Sequence, residues 1–260
     1  MKRGQVTIYV ILGLVIFIAA GIIFFLKYDI LNSITLKEGQ KIINVPPQVQ
    51  VVYDYVQDCV ETGTSNALYI IGQNGGYFIT PELSTLGDIP YYFIDNNSYV
   101  PTKEDIEKEI SKYINAELPL CIDDFKNLTE FRINQGNINT KTYVGNDKVL
   151  VSIRYLLNIQ KGDISYQLED FSYELKLRLG LIYDASKKIV NSQIENPENI
   201  CISCILRIEK DNDVFVNIRN YGENIFIYSV VDPNFVWDTS LYGSDVLGFG
   251  NYHFKFAMRY

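Results

Sequence analysis

Histidine is almost missing from this chain, which carries one, His253, in 260 residues. That scarcity excludes His-rich metal sites, and any Ser-His-Asp or Cys-His hydrolase would have to recruit this single imidazole as its base. Neither a Gly-x-Ser-x-Gly elbow nor a papain-like cysteine context accompanies it. His253 lies between Tyr252 and Phe254 in an alternating terminal segment, opposite Phe254 and Phe256, and reads as a solvent-facing strand residue. Cysteine is also sparse: zinc would have to draw on four cysteines and that one histidine. No phosphate-cradling glycine loop, EF-hand loop, internal repeat or low-complexity tract occurs. No metal or cofactor is therefore expected. Basic residues are short as well. After residue 27 the chain has 20 of its 23 Lys and Arg against all 31 Asp and Glu, a net charge of about −11, which argues against nucleic acid and anionic head groups as partners.

What is present begins with residues 6–26, 21 positions without a charge, long enough to cross a bilayer core as one helix. Lys2 and Arg3 precede the run and Lys27 follows it, so the N-terminus is expected in the cytoplasm and the rest of the chain outside. A cleaved secretory signal would have a shorter apolar core and a small-x-small exit. The one such stretch, Ala19-Ala20-Gly21, is buried inside the run. The expected organisation is a transmembrane signal anchor over residues 1–27, a tether over 28–45 and an extracytoplasmic α+β domain over 46–260, with the lipid bilayer as partner of residues 6–26.

The first nine residues, Met-Lys-Arg-Gly-Gln-Val-Thr-Ile-Tyr, resemble the class III (type IV prepilin-like) signals of archaeal surface proteins, in which a basic segment ends in Gly before the apolar helix. The resemblance implies cleavage between Gly4 and Gln5. It departs from filament-forming pilins at Tyr9, where those carry a Glu that pairs with a neighbouring N-terminal amine. Burying that amine without the carboxylate is hard to offset. The Lys-Arg-Gly-Gln start, a Cys-bearing helix ending in Gly-Gly-Tyr and an aromatic C-terminal strand together resemble single-anchor surface proteins of archaea, a resemblance that implies a placement and no particular activity.

Beyond the tether, Pro46-Pro47 opens a long amphipathic helix with Val49, Val52, Val56, Cys59, Val60, Ala67 and Ile71 on one face, ending near Gly75-Gly76, with Gly63 a point where it can kink. A short strand is expected over residues 77–80 and a loop to Pro101. Thr102 and Asp105 form a capping-box pattern for a second helix, with Ile106, Ile110, Tyr113, Ile114, Leu118, Cys121 and Phe125 facing inward. Period-2 alternation follows: a hairpin of residues 149–159 and 171–179 around Lys161-Gly162-Asp163, a short helix over 184–195, then strands over 202–208, 214–218, 225–231 and 254–260. The expected fold is α+β, two long amphipathic helices packed on one antiparallel β-sheet.

Cys59 and Cys121 fall on the buried faces of the two helices, so a disulfide is open to them if the helices pack; two reduced core cysteines are the alternative. Cys201 and Cys204 form a Cys-x-x-Cys. A redox-active pair needs its first sulfur at a helix N-terminus, whereas the alternation after Cys204 predicts a strand, so this pair reads as structural, bridged or packed. Glu104, Asp105, Glu107 and Glu109 suit the first turns of a capped helix. Asp123-Asp124 sits at the unfavourable end and reads as a solvated turn. Asn96 and Asn127 head glycosylation triplets. Tyr91, Tyr92, Phe93 and Tyr99, in a stretch read as loop, are the candidate exposed binding patch. Functionally the chain reads as a non-enzymatic anchored domain for cell-surface structure or contact with a surface protein. The alternatives are a pilin-like filament subunit and an extracytoplasmic thiol-disulfide oxidoreductase at Cys201 and Cys204.

Overall fold

A computed structural model describes residues 45–195, 199–237 and 250–260. The apolar run 6–26, the Gly4-Gln5 processing site and nearly all of the 28–45 tether lie outside these residues. Among the described residues, no helix is long and apolar enough to cross a membrane.

Helix α1, Gln50–Gln73, follows a 3-10 turn at Pro47–Val49, where proline suits a first-turn position that has no hydrogen-bond partner to lose. It runs through Gly63 without a break. A Cβ placed there meets nothing within 4 Å, so the glycine contributes only backbone entropy to the unfolded chain. Gly63→Ala is expected to raise stability by about 1 kcal/mol, read as a higher midpoint in urea at unchanged m-value. Gly75 and Gly76, both at positive φ, stop the helix, and the Gly76 N–H closes the end on the Ile71 carbonyl at 2.7 Å.

Residues 77–80 form no strand; the chain instead enters a short hairpin, β1 (Tyr91–Ile94) and β2 (Asn97–Ser98). Its turn places Asp95 and Asn96 at φ 51° and 60°, the left-handed pair that two-residue hairpins favour. Helix α2, Lys103–Ile122, starts on the capping box that the sequence predicts: the Thr102 side chain accepts from the Asp105 N–H, and the Asp105 side chain accepts from the Thr102 N–H.

The helices pack on two sheets, where the alternation had predicted one. β3 (Arg132–Val144), β4 (Val149–Lys161) and β5 (Ile164–Leu175) form an antiparallel three-stranded sheet. Along β4, Val149, Val151, Ile153, Tyr155, Leu157 and Ile159 are buried as the period-2 pattern requires. Strand β5 stops at Leu175, and Leu177 and Leu179, expected on its face, instead lead into α3 (Leu179–Glu195). The second sheet has five strands in the order β2-β1-β8-β7-β6, with β6 at Phe215–Gly222, β7 at Ile225–Val236 and β8 at Asn251–Arg259; β1 joins β8 in parallel and every other pairing is antiparallel. Its inner face is an aromatic stack: Tyr92 lies 4.7 Å from Phe256, and Phe256 lies 5.4 Å from Tyr228, each pair near-parallel. Strand packing of this kind accounts for many of the tyrosines.

Residues 202–208, expected to be a strand, belong to helix α4, Ile202–Asn212. Ile205 and Ile208, three apart, are its buried positions. An apolar run this short fits either period, and the Cys201–Cys204 spacing fits the helix and not a strand. Its Cα atoms are 5.2 Å apart, whereas three residues of extended chain span about 10 Å.

Candidate functional site

Both cysteine pairs are at disulfide distance. Cys59 on α1 joins Cys121 on α2 with 5.8 Å between Cα atoms. Cys59 is buried, but Cys121 is exposed, contrary to the expectation that it faces the core. Leu118 and Ile122 take the inward positions of the last turn of α2, which leaves Cys121 at the rim of the contact. Cys201 occupies the N-cap of α4 and Cys204 its first turn. Both sulfur-bearing residues are partly exposed, between exposed Ile202, Ser203 and Leu206.

The tyrosine patch is corrected. Tyr91, Tyr92 and Phe93 are strand residues at 9%, 0% and 2% exposure, while Tyr99 is exposed at 46%. Tyr92 donates its hydroxyl to the Gly75 carbonyl at 2.7 Å, which ties β1 to the end of α1. What remains at the surface is a depression of about 260 Å³ where Tyr99 and Tyr91 meet Tyr77 and Leu83.

Two of the acidic residues of α2 act across the fold and not as first-turn charges. The Glu107 carboxylate accepts from the Val144 N–H at 2.8 Å and that of Glu109 from the Phe78 N–H at 3.1 Å. Burial pushes the Glu107 carboxyl above its ordinary range. Asp123 pairs with Lys126, and Asp124 accepts from Gln135 at 3.3 Å. Among the described residues, no three metal-ligating side chains cluster. Asn96 and Asn127 are both exposed.

A cleft of about 490 Å³ lies on the outer face of the five-stranded sheet, walled by the last turns of α1. Strand pairing builds it: Asn217 sits opposite Ser229 and Ser229 opposite Lys255, with Arg219 opposite Ile227 and His253 opposite Val231 on the same face. Tyr69 and Gln73 of α1 form one wall, with Tyr69 edge-on to Trp237 at 6.1 Å. The wall is set by two glycines. A Cβ on Gly72 would lie 2.5 Å from the His253 carbonyl oxygen, and one on Gly75 2.6 Å from that of Lys255, so α1 meets the β8 backbone with no room for a side chain.

His253 is thus not a plain solvent-facing residue. It is half-buried in the cleft, with Nδ1 2.9 Å from the Ser229 hydroxyl. Among the described residues no carboxylate hydrogen-bonds the ring, so the contact positions the imidazole and lacks the third group of a hydrolytic triad. Burial, and then the charge of Lys255, pull its pKa below the ordinary 6.5. The folded state therefore binds fewer protons here than the unfolded chain, and stability contributed at neutral pH is lost as pH falls below 6.5. With one histidine in the chain, its part is isolated by substitution: Glu107, whose raised carboxyl works in the opposite sense, acts alike in both proteins, so between pH 7 and 5 wild type should lose more urea midpoint than His253→Gln.

Sequence reasoning missed Gln73, Arg219, Trp237 and Lys255 as neighbours of His253. The signal lay in the register. Alternation puts Asn217 and Arg219 on one face, and likewise His253 and Lys255, but only knowing that β7 lies between those strands brings the two pairs together.

Fold and cleft together define a disulfide-bridged α+β domain with a cationic concavity on one sheet. Compared with family models, curated proteins and solved structures, the chain matches none.

Proposed function

We propose that residues 46–260 form an extracytoplasmic domain, held at the membrane by residues 6–26 and tethered by 28–45, that serves cell-surface structure or contact with another surface protein without catalysing a reaction. The observation that carries this reading is the uncharged 21-residue run flanked by Lys2, Arg3 and Lys27. Two cysteine pairs at bonding distance fit an oxidising compartment. The exposed Tyr99 and Leu83, sharing one depression, supply an apolar contact surface. The test is made on intact cells of the native host: a membrane-impermeant biotin reagent should label the domain before lysis, and the protein should stay in the pellet after alkaline carbonate washing. Labelling only after lysis, or release into the carbonate wash, would sink the reading. The N-terminal mass of the same material decides the prepilin resemblance, with a start at Gln5 expected after processing and a start at Met1 for a plain anchor.

A second reading is favoured by the helix that replaces the expected strand. Cys201 at the start of α4 has the dipole environment that lowers a thiol pKa, and both cysteines are partly exposed. In thiol-disulfide exchange, a reduced Cys201 thiolate would attack a substrate disulfide and release one substrate thiol. Cys204 would then resolve the mixed disulfide and release the second. Insulin reduction driven by dithiothreitol, lost in Cys201→Ser, supports this reading; a rate equal to dithiothreitol alone removes it.

A further inference from the structure

We propose that the cleft on the outer face of the five-stranded sheet binds an oxyanion-bearing ligand, with Lys255 and Arg219 as its charge partners and the amides of Gln73 and Asn217 and the imidazole of His253 as polar contacts.

Charge is the first argument. Lys255 is half-buried, and among the described residues no salt bridge or hydrogen bond holds its ammonium. Burial alone pushes its pKa down, with no carboxylate pulling it back. Several other cations of the fold are treated differently. Lys108, Lys112 and Lys126 are paired although they are 65–69% exposed and need it least. Arg178, only 22% exposed, is clamped by Asp232. Lys255 is the reverse case, a partly desolvated cation that shares its cleft with a second cationic side chain, Arg219, and with an imidazole whose charge it opposes. Among the described residues that line the cleft there is no Asp or Glu, in a chain where acids outnumber bases by 31 to 23. An unneutralised cation in a concavity is a stabilising partner for an anion, because low-dielectric walls strengthen the pairing.

Shape and rigidity agree. A volume of about 490 Å³ lies in the range of small-ligand sites. The cationic groups stand on paired strands, the Ser229 contact fixes the ring of His253, and the Gly72 and Gly75 approaches fix the wall that carries Gln73. Ile89 and Ile227 give the cleft an apolar part, which suits an organic acid better than a bare ion. Planar carboxylate and tetrahedral phosphate or sulfate share the required chemistry.

The experiment titrates the full chain in detergent micelles with sodium citrate, sodium phosphate and sodium sulfate, at constant ionic strength held with chloride, and reads binding by calorimetry. Saturable binding of at least one oxyanion is expected, and which of the three binds identifies the geometry as planar or tetrahedral. Lys255→Gln and Arg219→Gln should each weaken that binding about tenfold or more, while Lys108→Gln, a cation on α2, leaves it unchanged. Arg219 is exposed on edge strand β6, so its variant tests the site without disturbing the core, and thermal melts verify folding of each. Absence of saturable binding for all three anions, or equal affinity in wild type and in the folded Arg219→Gln variant, would overturn the proposal.

Discussion

Arg178→Ala is expected to lower stability by about 3–5 kcal/mol, because it leaves a buried carboxylate without its cation. Asp232 is 1% exposed, and Arg178 reaches both of its oxygens from Nε at 3.1 and 3.2 Å, with a further bond from Nη2. The same guanidinium donates to the Asp213 carbonyl at 2.8 Å. Asp213 is the left-handed residue that closes α4, so one side chain joins the entry to α3, strand β7 and the end of α4. Once Arg178 is removed, the Asn234 N–H at 3.0 Å is the one hydrogen-bond partner left to the carboxylate among the described residues. For a domain of this size the loss corresponds to a thermal midpoint lower by about 10 °C. Asp232→Asn should cost clearly less. The amide oxygen can keep the Asn234 N–H, no buried charge is orphaned, and Arg178, with 22% of its side chain exposed, can turn to water. Equal losses in the two variants would show that packing, not the uncompensated charge, sets the cost. Thermal melts of wild type, both single variants and the double variant complete the cycle.

How far the chain could be read in advance depended on how local each signal was. The capping box at Thr102 and Asp105, the face of α1 from Val49 to Ile71 and the alternation of β4 are written within a few residues, and each is found as expected. The signals that failed were short or needed a partner. Tyr91-Tyr92-Phe93 reads as an exposed patch only while its neighbours are unknown. In the fold, parallel pairing with the terminal strand buries it, and Asp95-Asn96 was the turn signal that marked the hairpin. The segment after Cys201 carries both periods at once, and in the fold its helix buries Ile205 and Ile208 and brings Cys201 within 5.2 Å of Cys204, Cα to Cα. The division into two sheets was illegible for a related reason: the helix expected over 184–195 is present, but the second helix of that connection was read as a strand, and nothing in the spacing of β6, β7 and β8 says that they join β1 and not the hairpin before them. The cleft is the furthest case, since its residues come from α1, β6, β7 and β8 and meet only after register and helix docking are fixed.

Replacing Cys59 and Cys121 together by alanine is expected to cost about 4 kcal/mol, as the chain-entropy model gives for a loop of this length. The bridge spans 62 residues, and its release returns that closure freedom to the unfolded chain. The matching replacement of Cys201 and Cys204, three residues apart, should cost only about 2 kcal/mol in the same model. Neither change should alter the fold. Helices α1 and α2 remain joined by the hydroxyl of Tyr55, which donates to the Cys121 carbonyl at 3.1 Å and the Ile122 carbonyl at 3.2 Å, and by the buried faces around Val56, Val60 and Ile114. Urea unfolding should therefore show an unchanged far-UV signal before the transition. The midpoint should shift strongly for the long bridge and about half as much for the short one. The m-value discriminates the cause. A larger m in the Cys59 and Cys121 variant means that the unfolded chain has expanded, as the entropic account requires. A loss under about 1 kcal/mol at constant m would mean that residual contacts between these helices already restrain the unfolded chain, and that the two apolar faces, not the sulfurs, hold this part of the domain together.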